Sequence, residues 1–305
     1  MRIVSLICSA TEIVAALGHQ DSLVGRSHEC DFPPGVETLP ALTAPRFPTS
    51  GNSQDINILV KDLLSDGLSV YHVDADALRK LAPDVIITQD QCDVCAASLA
   101  DVEAAVCDWT GKQTRIVSCK PENLDDIWTD ILTVGAALDE SACAEALVAS
   151  IRERMFKVSQ KAQGQENQPS VAMIEWISPL MAAGNWMPTL VGMAGGNNLF
   201  GEAGRHSPWM EWEALCAADP DVIIVLPCGF DMDRSEADMP ALTEQDGWRG
   251  LKASLTGRAY LTDGHQYFNR PGPRVVESLE ILAEILHPET FSFGWENIGW
   301  RRFVG

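Results

Sequence analysis

The chain has 305 residues, 46% of them hydrophobic, which is enough apolar material for two ordinary domains with cores of their own. Its 43 Asp and Glu residues outnumber 22 Lys and Arg, giving a formal net charge of -21. A field of that sign repels phosphate backbones and anionic lipid surfaces, which argues against nucleic-acid binding, and no run approaches the ~20 apolar residues of a membrane span. Cationic ligands or a basic protein partner remain compatible with it, and solubility alone explains it equally well.

Nine cysteines fall at irregular spacings, and an odd number leaves at least one thiol unpaired within a monomer. A chain with its own core does not need disulfides, so the pattern predicts a reducing compartment. The apolar run Ile3 to Ile7 is shorter than the roughly 7–15 residues of a secretory signal. Ile7 is also too large for the position before a lipoprotein cysteine. The expected location is cytoplasmic; the alternative is periplasmic, with a leader outside this sequence.

In chain order, Ile3–Leu6 reads as a buried strand and Ala10–Leu17 as a helix closed by Gly18. Leu23–Arg26 is a second strand, followed by a loop that Pro33 and Pro34 keep out of regular pairing. Residues 36–55 are rich in Pro, Thr and Ser and read as irregular. Ile56–Asp66 has helical spacing, Leu68–Val73 is a strand, and Asp74 or Asp76 can cap the next helix, which ends before Pro83. Val85–Thr88 is apolar on both faces and reads as a central strand. A helix over Leu99–Val106 and a strand over Arg115–Ser118 follow. Asn123–Leu138 and Ser141–Gln163 read as helices, the second long and charged in its later turns. The second half repeats the rhythm. Strands are predicted at Val171–Trp176, Val222–Leu226 and Ala259–Thr262, and helices at Pro188–Met193, Trp209–Ala217, Ala241–Ala253 and Pro273–Leu286. The tail from Phe291 to Gly305 is aromatic enough to pack back on the body.

Pro83-Asp84-Val85-Ile86-Ile87 occurs again as Pro220-Asp221-Val222-Ile223-Ile224, each copy after a helix-like stretch. Alternation of strands and helices implies an α/β fold with mainly parallel sheets, and the duplication implies two similar lobes with a ligand cleft between them. The expected boundaries are a lobe over residues 1–138, a linking helix and loop over 139–168, a second lobe over 169–290 and the tail over 291–305. A long helix between lobes is stiff and predicts only modest closure.

Ligands in such folds sit beyond the carboxyl ends of strands. Those ends carry Cys8 and Ser9, His28 and Glu29, Trp186, His206, Trp209, Cys228, Phe230, Tyr267, Phe268, Asn269 and Arg270, which together form the predicted ligand-binding set. Flat aromatic side chains suit a broad, partly apolar ring system, and forked arginine hydrogen bonds from Arg270 or Arg274 suit carboxylates or phosphate. His206 and His265 are candidate axial donors to a chelated metal; each also reads, and more readily, as a loop histidine with hydrogen-bonding duties. Trp212 and Trp248 read as packing, and Glu12 as a structural helix-start residue. Gly195-Gly196-Asn197-Asn198 lacks the spacing of a phosphate-cradling loop.

The order of four motifs resembles that of the helical-backbone (class III) substrate-binding proteins of ABC importers, in the cobalamin- and iron-chelate-binding branch. The motifs are Ser5-Leu6-Ile7-Cys8-Ser9-Ala10-Thr11-Glu12, Ser27-His28-Glu29-Cys30-Asp31-Phe32-Pro33-Pro34, the two Pro-Asp-Val-Ile-Ile strands, and Tyr267-Phe268-Asn269-Arg270-Pro271-Gly272-Pro273-Arg274. The resemblance implies two Rossmann-like lobes joined by one long helix, a cobalamin-like corrinoid or another metal chelate as ligand, no enzymatic activity, and an ABC permease as partner. It also implies that Asp76 and Glu213 meet arginines of that permease. Asp76 is shorter than the family's usual Glu. The function expected is uptake through such a permease, or a cytoplasmic carrier or sensor.

One cluster supports a reading of another class. Cys92-Asp93-Val94-Cys95 has metal-ligand or redox spacing, and His28 with Cys30 would complete a tetrahedral zinc set. The alternative function is therefore a zinc-binding protein or a cysteine-dependent enzyme. The same thiols also read as reduced, partly buried side chains lining a pocket.

Overall fold

A computed structural model of the chain describes residues 1–66, 68–91, 99–106 and 114–304. Its contacts divide it into two compact units: Met1–Gly51, Ile58–Pro121 and Asp125–Ser150 form the first, and Asn52–Asn57, Glu122–Leu124 and Ile151–Gly305 the second.

The first unit begins with β1 (Ile3–Ser5), α1 (Cys8–Ala16) and β2 (Leu23–Arg26). β3 (Thr43–Pro45), α2 (Ser53–Ser65), whose residues through Asn57 belong to the second unit, and β4 (Tyr71–Val73) come next, β3 pairing antiparallel with β4. Then come α3 (Ala75–Leu81), β5 (Val85–Gln89), α4 (Leu99–Val106), β6 (Arg115–Cys119) and α5 (Leu124–Ala137). Strands in the order β2-β1-β5-β6 form a parallel sheet. β1 and β5 are buried along their whole length, which is why both read as apolar on both faces. One core of this unit gathers Val4, Leu6, Leu42, Val70, Leu78, Ile86 and Val102. The helix α6 (Ser141–Gln163) belongs to the first unit through Ser150 and to the second from Ile151.

The second unit contains β7 (Ser170–Trp176), β8 (Met181–Ala182), α7 (Met187–Met193), β9 (Asn197–Asn198), α8 (Trp212–Ala218), β10 (Val222–Val225), α9 (Met232–Asp238), α10 (Pro240–Thr243), α11 (Lys252–Leu255), β11 (Ala259–Thr262), α12 (Val275–Leu286) and β12 (Trp300–Arg302). Its sheet runs β12-β11-β10-β7-β8, with β9 also on β7. β11, β10, β7 and β9 are parallel, while β12 and β8 run antiparallel to their neighbours. Ala172, Ile174, Leu215, Ile223, Val225, Leu251 and Leu261 pack in one core on this sheet.

The duplicated sequence has the same structural role in each unit. Helix α3 stops at Ala82 and α8 at Asp219, both left-handed, with φ of 43° and 41°. Proline follows at once, lacking the N–H to continue either helix. The next residue, an aspartate, accepts a hydrogen bond from the backbone at the head of the neighbouring strand. Asp84 takes the Arg2 N–H at 2.7 Å, and Asp221 takes the Ser170 N–H at 2.8 Å. A strand's first amide has no ladder partner of its own there, so the carboxylate satisfies it and sets where the strand begins. The Lys252 ammonium and the Ser170 N–H and hydroxyl hold Asp221 down to about 2.

Two carboxylates one turn apart on α12 fix the carboxyl-terminal tail. Buried Glu280 accepts a forked pair of hydrogen bonds from Arg154, both at 2.6 Å, and one from the Trp295 indole. Glu284 accepts from the Gly294 and Trp295 backbones and from the Trp300 indole. The aromatic tail therefore packs on its unit through indole N–H groups as well as through ring burial.

Elsewhere the elements depart from expectation. The predicted helix over 241–253 is broken into α10, a 3-10 turn and α11, because Gly247 adopts φ 97° between them. The helix expected from Trp209 starts at Trp212, since Trp209 is bridged to Met181 in strand fashion. β3, in a stretch read as irregular, finds a partner in β4. Helix α9 was not anticipated.

Asp130 on α5 is buried at the end of β6. Among the described residues it accepts only a 3.3 Å hydrogen bond from the Lys120 N–H, and its Oδ2 finds no partner there. Burial, with Asp126 nearby, pushes its carboxyl up to about 7.

Two outcomes follow from these carboxylates. Asp84→Ala and Asp221→Ala should each cost about 1 kcal/mol in urea unfolding at pH 7. The Asp221 contribution should persist down to about pH 4 and vanish as pH falls through about 2, because its folded-state pKa is depressed. Asp130 has the opposite sign. The folded state holds a proton that the unfolded state releases, so its destabilising effect is absent below about pH 4 and complete above about pH 7. Asp130→Asn should gain stability over wild type across that window; a difference that does not vary with pH would show that Asp130 does not titrate there.

Candidate functional site

In the first unit, the carboxyl ends of β1 and β2 meet through one hydroxyl. Thr11 Oγ1 lies 2.8 Å from Ser5 Oγ and 3.0 Å from Cys30 Sγ. Cys8 and Ser9 open α1 and are buried there, and Cys30 is fully buried. His28 is half-buried beside Tyr71, with ring centroids 5.4 Å apart. Its Nδ1 is 2.8 Å from Thr43 Oγ1, and its Nε2 is 3.9 Å from the Glu29 carboxylate. Burial, then the Arg26 charge, lowers the imidazole to about 4, so it is neutral at physiological pH.

These positions bear on the zinc reading. Among the described residues, no group of three or more His, Cys, Asp or Glu side chains is arranged to hold a metal ion. His28 and Cys30 are instead engaged with Thr43 and Thr11. Cys92 and Cys95 lie outside the described residues. No disulfide links the described cysteines.

In the second unit, several aromatics predicted to touch ligand build the floor of the strand-end loops. Phe230 and Phe268 are each 1% exposed, and Trp186 and Tyr267 are buried. The Trp186 indole N–H donates to the Phe268 carbonyl at 3.0 Å, across the chain from α7 to the loop after β11. Phe268 itself is left-handed, with φ 42°. Asn269 spends both amide hydrogens on backbone, donating to the Leu226 and Gly264 carbonyls. On the neighbouring loop, a methyl group at Gly184 would run into the Arg205 carbonyl, so glycine is required there. The Ser207 hydroxyl accepts from the Gly184 N–H and donates to Glu175.

The second unit's loops also carry side chains with accessible surface. Trp209 is 57% exposed, His206 is exposed, and Trp176 and Cys228 are half-buried. Arg270 is buried and donates from Nη2 to His265 Nε2 at 3.1 Å. Arginine has no acceptor, so Nε2 of His265 carries its lone pair toward the guanidinium. Arg274 is held by the Gln266 carbonyl and lies over the Tyr267 ring. Burial raises the Asp263 carboxyl, against hydrogen bonds from the Gln266 and His265 backbones.

Arg234 on α9 was missed by the sequence reading. Its guanidinium stands 3.7 Å from the Phe230 ring centre, and Trp176 meets the same ring edge-on at 5.4 Å. The available signal was Asp231, whose side chain caps α9 by accepting from the Arg234 N–H. Trp212 and Trp248 stack on each other in the core, as expected of packing residues. Asp76 and Glu213 are exposed in the first turns of α3 and α8, the helices that precede the two duplicated turns.

A family model described as periplasmic binding protein matches residues 3–265. The chain is similar to an uncharacterized ABC transporter substrate-binding lipoprotein, YvrC, of Bacillus subtilis. The two are 24% identical over 297 residues, which cover 95% of this chain and 81% of the relative. It is also similar to a vitamin B12-binding protein of Vibrio cholerae, at 25% identity over 93% of this chain and 88% of the relative. Among solved structures, a periplasmic heme binding protein from Pseudomonas aeruginosa matches with a TM-score of 0.73 at 21% identity, covering 100% of this chain and 98% of that one. The periplasmic vitamin B12 binding protein BtuF of Vibrio cholerae matches with a TM-score of 0.63 at 20% identity, covering 93% of this chain and 96% of that one. The enzyme weighed as the alternative finds no support in these relatives, which are solute-binding proteins. With most of its length matched by one family model, the chain belongs to the periplasmic binding protein family and is a binding protein rather than an enzyme.

Proposed function

We propose that this chain is the substrate-binding component of an ABC-type uptake system and that its ligand is a corrinoid or another flat metal chelate. The observation that carries the reading is the second unit's strand-end surface. There an exposed indole, Trp209, and an exposed imidazole, His206, lie on the loop between β9 and α8, which the Ser207 hydroxyl ties to Glu175 of β7. An apolar ring face loses water against the indole, and an imidazole nitrogen offers a donor to a chelated metal. In the first unit, His28 is held as a neutral donor. The names of the relatives, which include vitamin B12-binding and heme-binding proteins, support the same ligand class.

The partner in this reading is an ABC permease, met through exposed Asp76 and Glu213 by arginines of the transporter. No helix among the described residues is long and apolar enough to cross a membrane. The sequence-based expectation of a cytoplasmic carrier and the exported receptor suggested by the relatives' names use the same binding surface. Cell fractionation of the native protein separates them.

Titration calorimetry with cyanocobalamin and with haemin tests the ligand class. At least one should bind, and Trp209→Ala should weaken that binding about tenfold, equivalent to ~1.4 kcal/mol, with little change in thermal stability because the side chain is exposed. Failure of both chelates to bind wild-type protein would end this reading.

A further inference from the structure

Helix α9 is short, yet it is tied to distant parts of its unit. Near its end, Asp238 accepts the Ser53 N–H at 3.0 Å, and the Ser53 carbonyl accepts the Trp176 indole N–H at 3.2 Å. On its outer side, Arg301 of β12 holds three groups at once. Its Nη1 donates to Asp233 at 2.7 Å, and its Nη2 donates to Glu236 at 2.5 Å and to the Met232 carbonyl at 2.9 Å. Between these ties, α9 carries Arg234, which covers Phe230.

Surface ion pairs are weak as sources of stability, and Asp233 and Glu236 are both exposed. The arrangement differs from an isolated pair in what it constrains. One planar guanidinium grips two carboxylates and a carbonyl of the same helix, so it fixes the orientation of that helix against the sheet. Arg301 is itself in register with Leu261 of β11, so the grip refers α9 to the strand beside β10.

We propose that Arg301 is a positioning residue for the binding surface of the second unit, acting through α9 to hold Arg234 against Phe230, the ring that Trp176 meets edge-on. This rests on the reading that ligand meets the carboxyl ends of this sheet, and it assigns the carboxyl-terminal strand a part in ligand affinity. Arg301 touches no predicted ligand group; its effect passes through Asp233, Glu236 and the helix they belong to.

Amide hydrogen exchange on the full chain tests the positioning without any ligand. Arg301→Ala and the double variant Asp233→Asn with Glu236→Gln remove the same contacts from opposite sides. The double variant changes only exposed positions, so the test survives if Arg301→Ala disturbs β12. Both should exchange about tenfold faster across residues 228–238, with β7 and β11 unchanged. In calorimetry with whichever of cyanocobalamin and haemin wild type binds, both should weaken affinity roughly three- to tenfold. Unaltered exchange at 228–238 in the double variant overturns the proposal. So does faster exchange with full probe affinity, which would make the grip purely structural. If wild type binds neither probe, the ligand reading fails, and the exchange result alone decides whether Arg301 positions α9.

Discussion

A carboxylate at the head of each central strand is the constraint from which the architecture follows. Parallel strands buried on both faces have no solvent-facing side to fix their stagger. A slip by one residue would exchange every side chain between faces. Asp84 and Asp221 prevent that by pinning the first amide of the neighbouring strand, Arg2 for β1 and Ser170 for β7. Once the strand starts are fixed, the strand ends are fixed too, and the loops at those ends inherit defined positions. The duplicated Pro-Asp sequence is thus a device for placing the strand-end loops, which carry the proposed binding surface, although neither aspartate belongs to that surface.

The second unit uses its aromatic residues in two layers. Phe230, Phe268 and Trp186 are consumed in packing, and the indole N–H of Trp186 ties two loops together through the Phe268 carbonyl. Trp209, on a loop whose neighbours Gly184 and Ser207 are closely interlocked, remains exposed. A rigid floor lowers the ordering cost of binding, because the loops are already in place before ligand arrives. Aromatic content at strand ends therefore measures loop rigidity as much as ligand contact.

Much of this was legible in the sequence, and the reasons are specific. Val85–Thr88 declared itself as a central strand by being apolar on both faces, Val222–Leu226 as a strand by repeating it, and Ile56–Asp66 as a helix by its spacing. Periodicity failed where tertiary pairing overrode it. Trp209 was drawn into a bridge with Met181, and Gly247 broke a stretch that otherwise scans as helix. α9 is too short for its period to register, and only the Asp231 cap announces it. For the site, chain position picked out the strand-end residues, but position does not report side-chain direction. Sequence could not separate buried Phe268 from exposed Trp209, nor foresee that a guanidinium would claim His265 Nε2.

Charge explains why so many cysteines and histidines accompany binding rather than catalysis. The thiolate is the reactive form of cysteine, and the described thiols with displaced pKa are displaced upward. Burial raises Cys119, with Asp130 adding to it; a hydrogen bond to Glu140 raises Cys143; burial and then Glu213 raise Cys216. His28 is held neutral by burial and by Arg26, so at neutral pH it offers a lone pair rather than a proton. Burial and local carboxylates thus keep these three thiols protonated. What remains for the strand-end surface is neutral donors, aromatic faces and a few fixed guanidinium groups, a set suited to holding a ligand unchanged.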